Sequence, residues 1–110
     1  MYVGGTATSG TGNSFAFNSA VTTNTRNYLN NIFFNARSNV GATGKHYAIK
    51  VGGTAANPAG LTSDYNDLFV SGSGGVVGQF NALDQLTLGD WRVATGQDFN
   101  SFSADPKYIN

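Results

Sequence analysis

Apolar and polar residues alternate in several short stretches of the chain, and similar stretches recur at nearly regular intervals. Residues 14–18 (SFAFN) and 46–50 (HYAIK) share one pattern, 32 positions apart. Residues 31–34 (NIFF) and 66–69 (NDLF) share a second, 35 positions apart. Alternation over a few residues is typical of a half-buried β-strand. The sequence therefore predicts a strand, a turn and a second strand, in that order, and then the same order again.

A third copy of the first strand pattern is residues 76–80 (VVGQF). Its partner strand is predicted at residues 99–102 or at 108–109. Because like residues stack over like in a repeat protein, we expect residues about a third of the chain apart to be neighbours. The expected units are 1–38, 39–72 and 73–110, and the expected neighbours are Phe15 with Tyr47, Phe33 with Leu68 and Phe34 with Phe69.

Residues 87–96 (TLGDWRVATG) break the alternation and predict a short helix. Thr87, followed by Asp90 three residues later, is a variant of the capping box. Trp91 falls on the apolar face of this helix, and Gly96 suits the left-handed position just past a helix end. We expect the helix to lay Trp91 over the side or end of the strands.

Composition indicates a folded β protein and excludes several classes of function. Gly, Asn, Thr and Ser occupy 48 of 110 positions and are poor or neutral helix formers, while aromatic residues make up 13%. Six basic residues balance six acidic ones, which argues against binding to nucleic acid or to an anionic membrane. No cysteine is present, so the chain has neither disulfides nor a thiolate metal site.

Three segments carry a resemblance to a known family. Residues 30–35 (NNIFFN) and 61–69 (LTSDYNDLF) look like coils of a right-handed parallel β-helix. Residues 86–109 are similar to a segment of large secreted bacterial proteins that carry pectate-lyase-like β-helix repeats. The resemblance implies an all-β fold, a right-handed parallel β-helix (solenoid) of about three coils with a helical excursion near 87–96. It implies a location at the bacterial cell surface or outside the cell, with the export signal in parts not shown, and implies no reaction.

Two asparagines, Asn31 and Asn66, lie one repeat apart. Their side chains could stack as an amide ladder, or both could be ordinary turn formers that tolerate a left-handed backbone. Either role is structural.

Candidate chemistry is sparse. His46 is the only histidine and could act as a general base, but a solvent-facing turn residue is favoured because no nucleophile stands at a recognisable spacing. Asp64, Asn66 and Asp67 offer oxygen ligands for calcium, yet structural acids in a turn are favoured over a metal site.

Two further sets of residues have structural explanations that we prefer. Asp90 and Asp98 could form a glycosidase pair, but helix capping and a turn hydrogen bond explain them. Tyr47, Tyr65 and Tyr108 could form a sugar-stacking stripe, but half-buried strand positions are favoured. No catalytic, cofactor-binding or metal-ligating residue is predicted. The residues to which we assign structural roles are Phe15, Asn31, Phe33, Phe34, Tyr47, Asn66, Leu68, Phe69, Thr87, Asp90, Trp91 and Gly96.

The sequence as a whole favours a single β-helix segment over residues 1–110, an excerpt of a longer solenoid or a self-assembling unit. The expected function is a non-enzymatic, structural or adhesin-like segment of an extracellular bacterial surface protein. Two alternatives stay open: a non-catalytic part of a carbohydrate-active β-helix, and a subunit of a self-assembling extracellular filament. The expected partners are neighbouring coils of a parent chain or other copies, with polysaccharide as a further alternative. No cofactor is expected.

Overall fold

A computed structural model describes residues 1–108, which form short strands and one helix. Ile109, part of one predicted partner strand, lies outside the described residues. In chain order the elements are β1 Tyr2–Val3, β2 Thr6–Ala7, β3 Ser14–Asn18, β4 Arg26–Leu29, β5 Ile32–Asn35, β6 Ser38–Asn39, β7 His46–Lys50, β8 Leu61–Asp64, β9 Asp67–Val70, β10 Gly75–Phe80, β11 Leu83–Gln85 and α1 Leu88–Thr95.

Parallel pairing joins strands that lie about a third of the chain apart. Strand β3 pairs with β7 so that Phe15 lies opposite Tyr47, and their rings stack with centroids 5.0 Å apart. Strand β5 pairs with β9, β4 with β8, and β7 with β10, all in parallel. The β5–β9 register places Phe33 opposite Leu68 and Phe34 opposite Phe69.

These pairs belong to four separate short sheets. The strand orders are β1-β5-β9, β11-β10-β7-β3, β2-β6 and β4-β8. The four-stranded sheet is mixed, because β11 runs antiparallel to β10. Residues 99–102, one of the two positions predicted for the third partner strand, form an isolated bridge between Asp67 and Phe102 instead of a strand.

The predicted right-handed parallel β-helix of about three coils is therefore wrong. Residues 1–108 form no closed coils, and the sheets contain only two to four strands each. The chain departs from the prediction after Phe80. Asn81 and Ala82 both have positive φ, at 52° and 61°, as a two-residue hairpin turn requires. This turn sends the chain back alongside β10 as β11, a strand that the repeat pattern does not predict. Helix α1 then follows at the position predicted for it.

The core lies between the sheets and is apolar. Ala48, Ile49 and Leu68 are fully inaccessible to solvent, and Phe33 stacks on Phe17 with ring centroids 4.9 Å apart. Burial of such side chains contributes roughly 1.5–3 kcal/mol each. The buried members of the core are Ala16, Phe33, Ala48, Ile49, Val51, Leu61, Leu68, Val77, Phe80 and Trp91.

Helix α1 begins and ends as its terminal residues dictate. The Thr87 hydroxyl accepts a hydrogen bond from the Asp90 N–H at 3.1 Å, which satisfies one of the free donors of the first turn. Gly96 adopts a left-handed conformation, with φ 65°, and donates its N–H to the Arg92 carbonyl. Trp91 is fully buried against Phe80, with ring centroids 6.2 Å apart. No helix within residues 1–108 combines the length and apolar character needed to cross a bilayer.

Candidate functional site

A buried polar cluster surrounds Asp98, which follows α1 and is 1% exposed. Its carboxylate accepts four hydrogen bonds, from Trp91 Nε1 (2.9 Å), Ser63 Oγ (2.9 Å), Asn66 Nδ2 (3.0 Å) and Ser101 Oγ (2.7 Å). Asp98 makes the predicted turn hydrogen bond, from the Ser101 N–H to its carbonyl, but its carboxylate has a larger role than we predicted. The buried Trp91 indole needs an acceptor, and Asp98 supplies it while joining the helix to β8.

The hydrogen-bonding groups of the Asp98 cluster find their partners within the fold. Its oxygens are occupied by donors from the chain, and no buried side-chain polar atom of the described residues lacks a partner. Asp90 is exposed and lies on the helix, apart from this buried carboxylate. The arrangement stabilises the packing of α1 against β8 and leaves no free acid in the cluster for chemistry.

A chain of side-chain hydrogen bonds runs through His46, the first residue of β7. His46 is fully buried, so the predicted solvent-facing position is wrong. Its Nδ1 lies 2.8 Å from Ser14 Oγ and its Nε2 lies 2.7 Å from Asn39 Oδ1. Since an amide oxygen only accepts, Nε2 carries the proton and Nδ1 accepts the Ser14 hydroxyl. Burial and the nearby Arg37 charge both lower the pKa of His46 below its ordinary value.

This geometry places a hydroxyl next to a base, as in a nucleophilic catalyst, but the surrounding donors are already used. The Ser14 N–H is donated to the Lys45 carbonyl at 3.0 Å. The Asn35 amide donates both to Ser14 Oγ at 3.0 Å and to the Tyr47 carbonyl at 2.9 Å. Neither donor is free to bind an oxyanion. The chain of bonds therefore fixes β3, β5 and β7 against one another.

The two predicted asparagines lie side by side. Asn31 Nδ2 donates to Asn66 Oδ1 at 3.2 Å, and the Asn31 N–H donates to the same oxygen at 2.9 Å. The Asn66 amide nitrogen then turns to the Tyr28 carbonyl and to the Asp98 cluster. One amide step of the ladder exists, and Ser101 Oγ takes the next position by accepting from the Asn66 N–H.

The two acids that we considered as calcium ligands accept hydrogen bonds from loop residues, in keeping with the structural role that we favoured. The Asp64 carboxylate accepts from the Asn100 N–H and side chain, both at 2.8 Å, and from the Tyr65 N–H. Burial acts to raise the pKa of Asp64, but these hydrogen bonds hold it below its ordinary value. Asp67 accepts from the Ala104 N–H at 3.0 Å. Among residues 1–108 no three acids or histidines gather as a metal centre.

The sugar-stacking stripe that we considered cannot include Tyr47, whereas Tyr65 and Tyr108 are 57% and 48% exposed. Tyr47 is 1% exposed and donates its hydroxyl to Asp84 at 2.6 Å. Tyr108 packs against Tyr2 and Phe34, with ring centroids 5.9 and 6.1 Å apart.

A shallow groove lies along the loop of residues 53–59 and is also lined by Thr22. Its lining holds no charged side chain. Behind the loop, the buried Arg26 guanidinium donates to the carbonyls of Ala59 (2.7 Å), Asn24 (3.0 Å) and Val21. Arg26 therefore fixes the loop through backbone contacts.

One side of the molecule presents strands without neighbours. We call it the open edge: strands β1, β2, β3 and β4, each of which is the terminal strand of its own sheet. The strands lie together, because Phe17 of β3 contacts Tyr28 of β4 with ring centroids 4.7 Å apart, and both pack with Val3 of β1 against the core.

The opposite ends of three of the four sheets are covered by the chain itself. Residues 97–102 bond to β8 and β9: the Asp98 N–H donates to Ser63 O and the Leu68 N–H donates to Phe102 O. Ser73 Oγ accepts from the Asn39 N–H of β6. The fourth sheet ends in β11, which has three residues and carries Asp84 at its centre. A charged side chain protects a strand edge from pairing.

Sequence reasoning missed Ser14, Asn35, Asn39, Ser63 and Ser101, although part of the signal was present. The 32-residue spacing that aligns Phe15 with Tyr47 also aligns Ser14 with His46. The 35-residue spacing that aligns Asn31 with Asn66 leads on to Ser101.

Comparison with known proteins adds no relative. No family model, no curated protein and no solved structure matches the chain. The resemblance to pectate-lyase-like repeats stays a prediction.

Proposed function

We propose that the chain is a non-enzymatic structural module that attaches to a β-structured neighbour through its open edge. The observation that carries this proposal is the asymmetry of the fold. The four open strand edges lie on one side, while the other ends of the sheets are covered or charged. Exposed strand edges are templates for pairing with another chain.

The buried polar groups support a structural role. The Asp98 cluster and the hydrogen bonds of Ser14, His46 and Asn39 each join separate elements. In both, the polar side chains bond to one another. An adhesin-like role at the bacterial cell surface belongs to the same proposal. It is supported by the sequence resemblance of residues 86–109 alone.

The experiment is a turnover and binding assay with purified chain on a panel of neutral and acidic polysaccharides. We expect neither new reducing ends nor unsaturated products. A Ser14→Ala variant serves as the matched control, because it removes the hydroxyl that bonds to His46 Nδ1.

Product formation by the natural chain that is lost in Ser14→Ala would overturn the non-enzymatic function. Tight binding to one polysaccharide without turnover would replace the attachment role with the carbohydrate-binding alternative.

A further inference from the structure

We infer that His46 is an acid-sensitive switch: when its ring gains a proton, residues 8–13 separate from residues 41–45 while the rest of the fold stays closed. We call these two segments the stacked loops. The inference concerns the inside of the fold and goes beyond the proposed function. Its basis is the link from His46 to both stacked loops, the neutral partners of its ring and the few contacts between the loops.

The stacked loops meet mainly through their backbones. Residues 8–13 are all exposed to solvent, and a Cβ added to Gly44 would overlap the Gly12 carbonyl oxygen. Three hydrogen bonds join this region: Thr43 N–H to Gly10 O (3.0 Å), Lys45 N–H to Asn13 Oδ1 (2.8 Å) and Ser14 N–H to Lys45 O (3.0 Å). A segment with few buried apolar contacts and exposed backbone hydrogen bonds opens locally at a low cost in free energy.

The His46 ring ties the stacked loops to the buried part of the molecule. Its Nδ1 accepts from the Ser14 hydroxyl, which directly follows the first loop, and Ser14 Oγ accepts from Asn35 of β5. Its Nε2 donates to Asn39 of β6, whose amide donates to Gly44 O of the second loop at 2.8 Å. Strands β3, β5 and β6 belong to three different sheets, so one ring connects three sheets and both loops.

A second proton on this ring would disturb the arrangement. Nδ1 would become a donor, so Ser14 Oγ would receive two donors, from His46 and from Asn35, and the Ser14 hydroxyl hydrogen would lose its acceptor. The positive charge would lie in a site that is 0% exposed, with neutral oxygens as its partners. A buried charge without a counter-charge is costly. Protonation therefore favours a state in which water reaches the ring.

The basic residues near His46 add to this cost. Strands β3, β5, β6 and β10, which surround the start of β7, contain no charged residue. Burial and the charge of Arg37, which lies between β5 and β6, both lower the pKa of His46. Lys45 precedes His46 and is exposed, and Lys50 lies at the other end of β7.

The acids on the remaining packed strands are bonded elsewhere. Asp67 of β9 accepts from the Ala104 N–H at 3.0 Å. Asp84 of β11 accepts from the Tyr47 hydroxyl, and the Tyr47 side chain points to the opposite face of β7 from that of His46. Within residues 1–108, therefore, no carboxylate bonds to the His46 ring to take up its charge.

Hydrogen exchange followed by NMR between about pH 7.5 and 5.5 tests the inference, after correction for the intrinsic exchange rate at each pH. The reporters are the amides of Ser14, Thr43 and Lys45. Because an accessible histidine has a pKa of about 6.5, we expect their opening constants to rise by up to about tenfold over this range. The Asn57 amide, which donates to Thr95 O from the loop after β7, is the reference and should keep a constant opening constant.

Three variants separate the switch from a general effect of acid. His46→Gln keeps a neutral side chain with a donor and an acceptor and should abolish the rise. Arg37→Gln should reduce the rise, because the pKa of His46 in the closed state then moves toward its ordinary value, and this variant keeps the test decisive if His46→Gln does not fold. Lys50→Gln removes the same charge at the far end of β7 and is the matched control, with the rise unchanged.

Four outcomes overturn the inference. They are the absence of a rise in the natural chain, a rise of the same size in His46→Gln, an unchanged rise in Arg37→Gln, and an equal rise at the Asn57 amide, which would show that the whole molecule opens. Low concentrations of urea should leave the opening constants of the reporters unchanged, because a local opening exposes little surface. A rise that requires unfolding of the whole chain by urea would also overturn it.

Discussion

Asp98 illustrates how one residue can organise a small fold. Its carboxylate receives the Trp91 indole N–H and three further donors in a site that is 1% exposed. Buried donors that lose their acceptor bear a desolvation penalty of about 1–3 kcal/mol each. The stability of the contact between α1 and β8 should therefore depend on this side chain.

Replacement of Asp98 by Ala is expected to lower the free energy of unfolding by about 3 kcal/mol or more, because four buried donors lose their shared acceptor. Urea denaturation followed by Trp91 fluorescence measures the change. Asp90→Ala is the control, since Asp90 is exposed in the first helical turn and its loss should lower stability by about 0.3–1 kcal/mol. Equal effects of the two substitutions would contradict the role of Asp98.

His46 should make stability depend on pH. Its pKa is lowered in the folded chain by burial and by Arg37, so below about pH 6.5 the unfolded state binds a proton that the folded state refuses. Stability is therefore expected to fall as the pH is lowered from about 7.5 to 5.5, by at most about 1.4 kcal/mol per pH unit. Unfolding free energies of the natural chain and His46→Gln across this range provide the measurement. The same slope in both proteins would exclude His46 as its source.

At the scale of elements, the sequence is informative where a residue's local preference agrees with its packing. Helix α1 occupies Leu88–Thr95 because Thr87 and Gly96 mark its ends and Trp91 fixes its buried face. The spacing of the apolar strands also predicts the register of Phe15 with Tyr47 and of Phe33 with Leu68.

The hairpin after Phe80 could not be predicted in the same way. Its turn contains no glycine to mark it in the sequence. Ala82 adopts a left-handed conformation, which residues with a Cβ usually avoid. The Asp98 cluster was missed for a related reason. Its members are distant in sequence, and only the packing of Trp91 brings Ser63 and Asp98 together. Local alternation of apolar and polar residues encodes neither feature.

The contact between α1 and β10 requires a glycine at residue 78. A Cβ added to Gly78 would lie 2.3 Å from the Trp91 ring. Gly78→Ala is therefore expected to lower stability by about 1–3 kcal/mol through overpacking. Gly89→Ala is the matched substitution on the helix, where the nearest atom is Thr87 Oγ1 at 3.7 Å, and it should raise stability by about 0.5–1 kcal/mol. Thermal and urea unfolding of the two variants check both signs.

At the scale of the whole molecule, charge is unevenly divided along a neutral chain. Four of the six basic residues fall within residues 26–50, and all six acidic residues fall within 64–105. The open edge lies next to the basic part, since β4 begins at Arg26 and β3 pairs with β7. A neighbour that attaches through the open edge, as proposed above, would therefore lie next to the basic part of the chain.

The charge-free stretch that forms most of the open edge also determines how proteases act on this chain. Because no lysine or arginine precedes Arg26, trypsin has no cleavage site within β1, β2 or β3. A complete tryptic digest releases all three strands in one peptide that ends at a residue whose guanidinium is itself buried. These three strands can thus be followed through one mass-spectrometric signal.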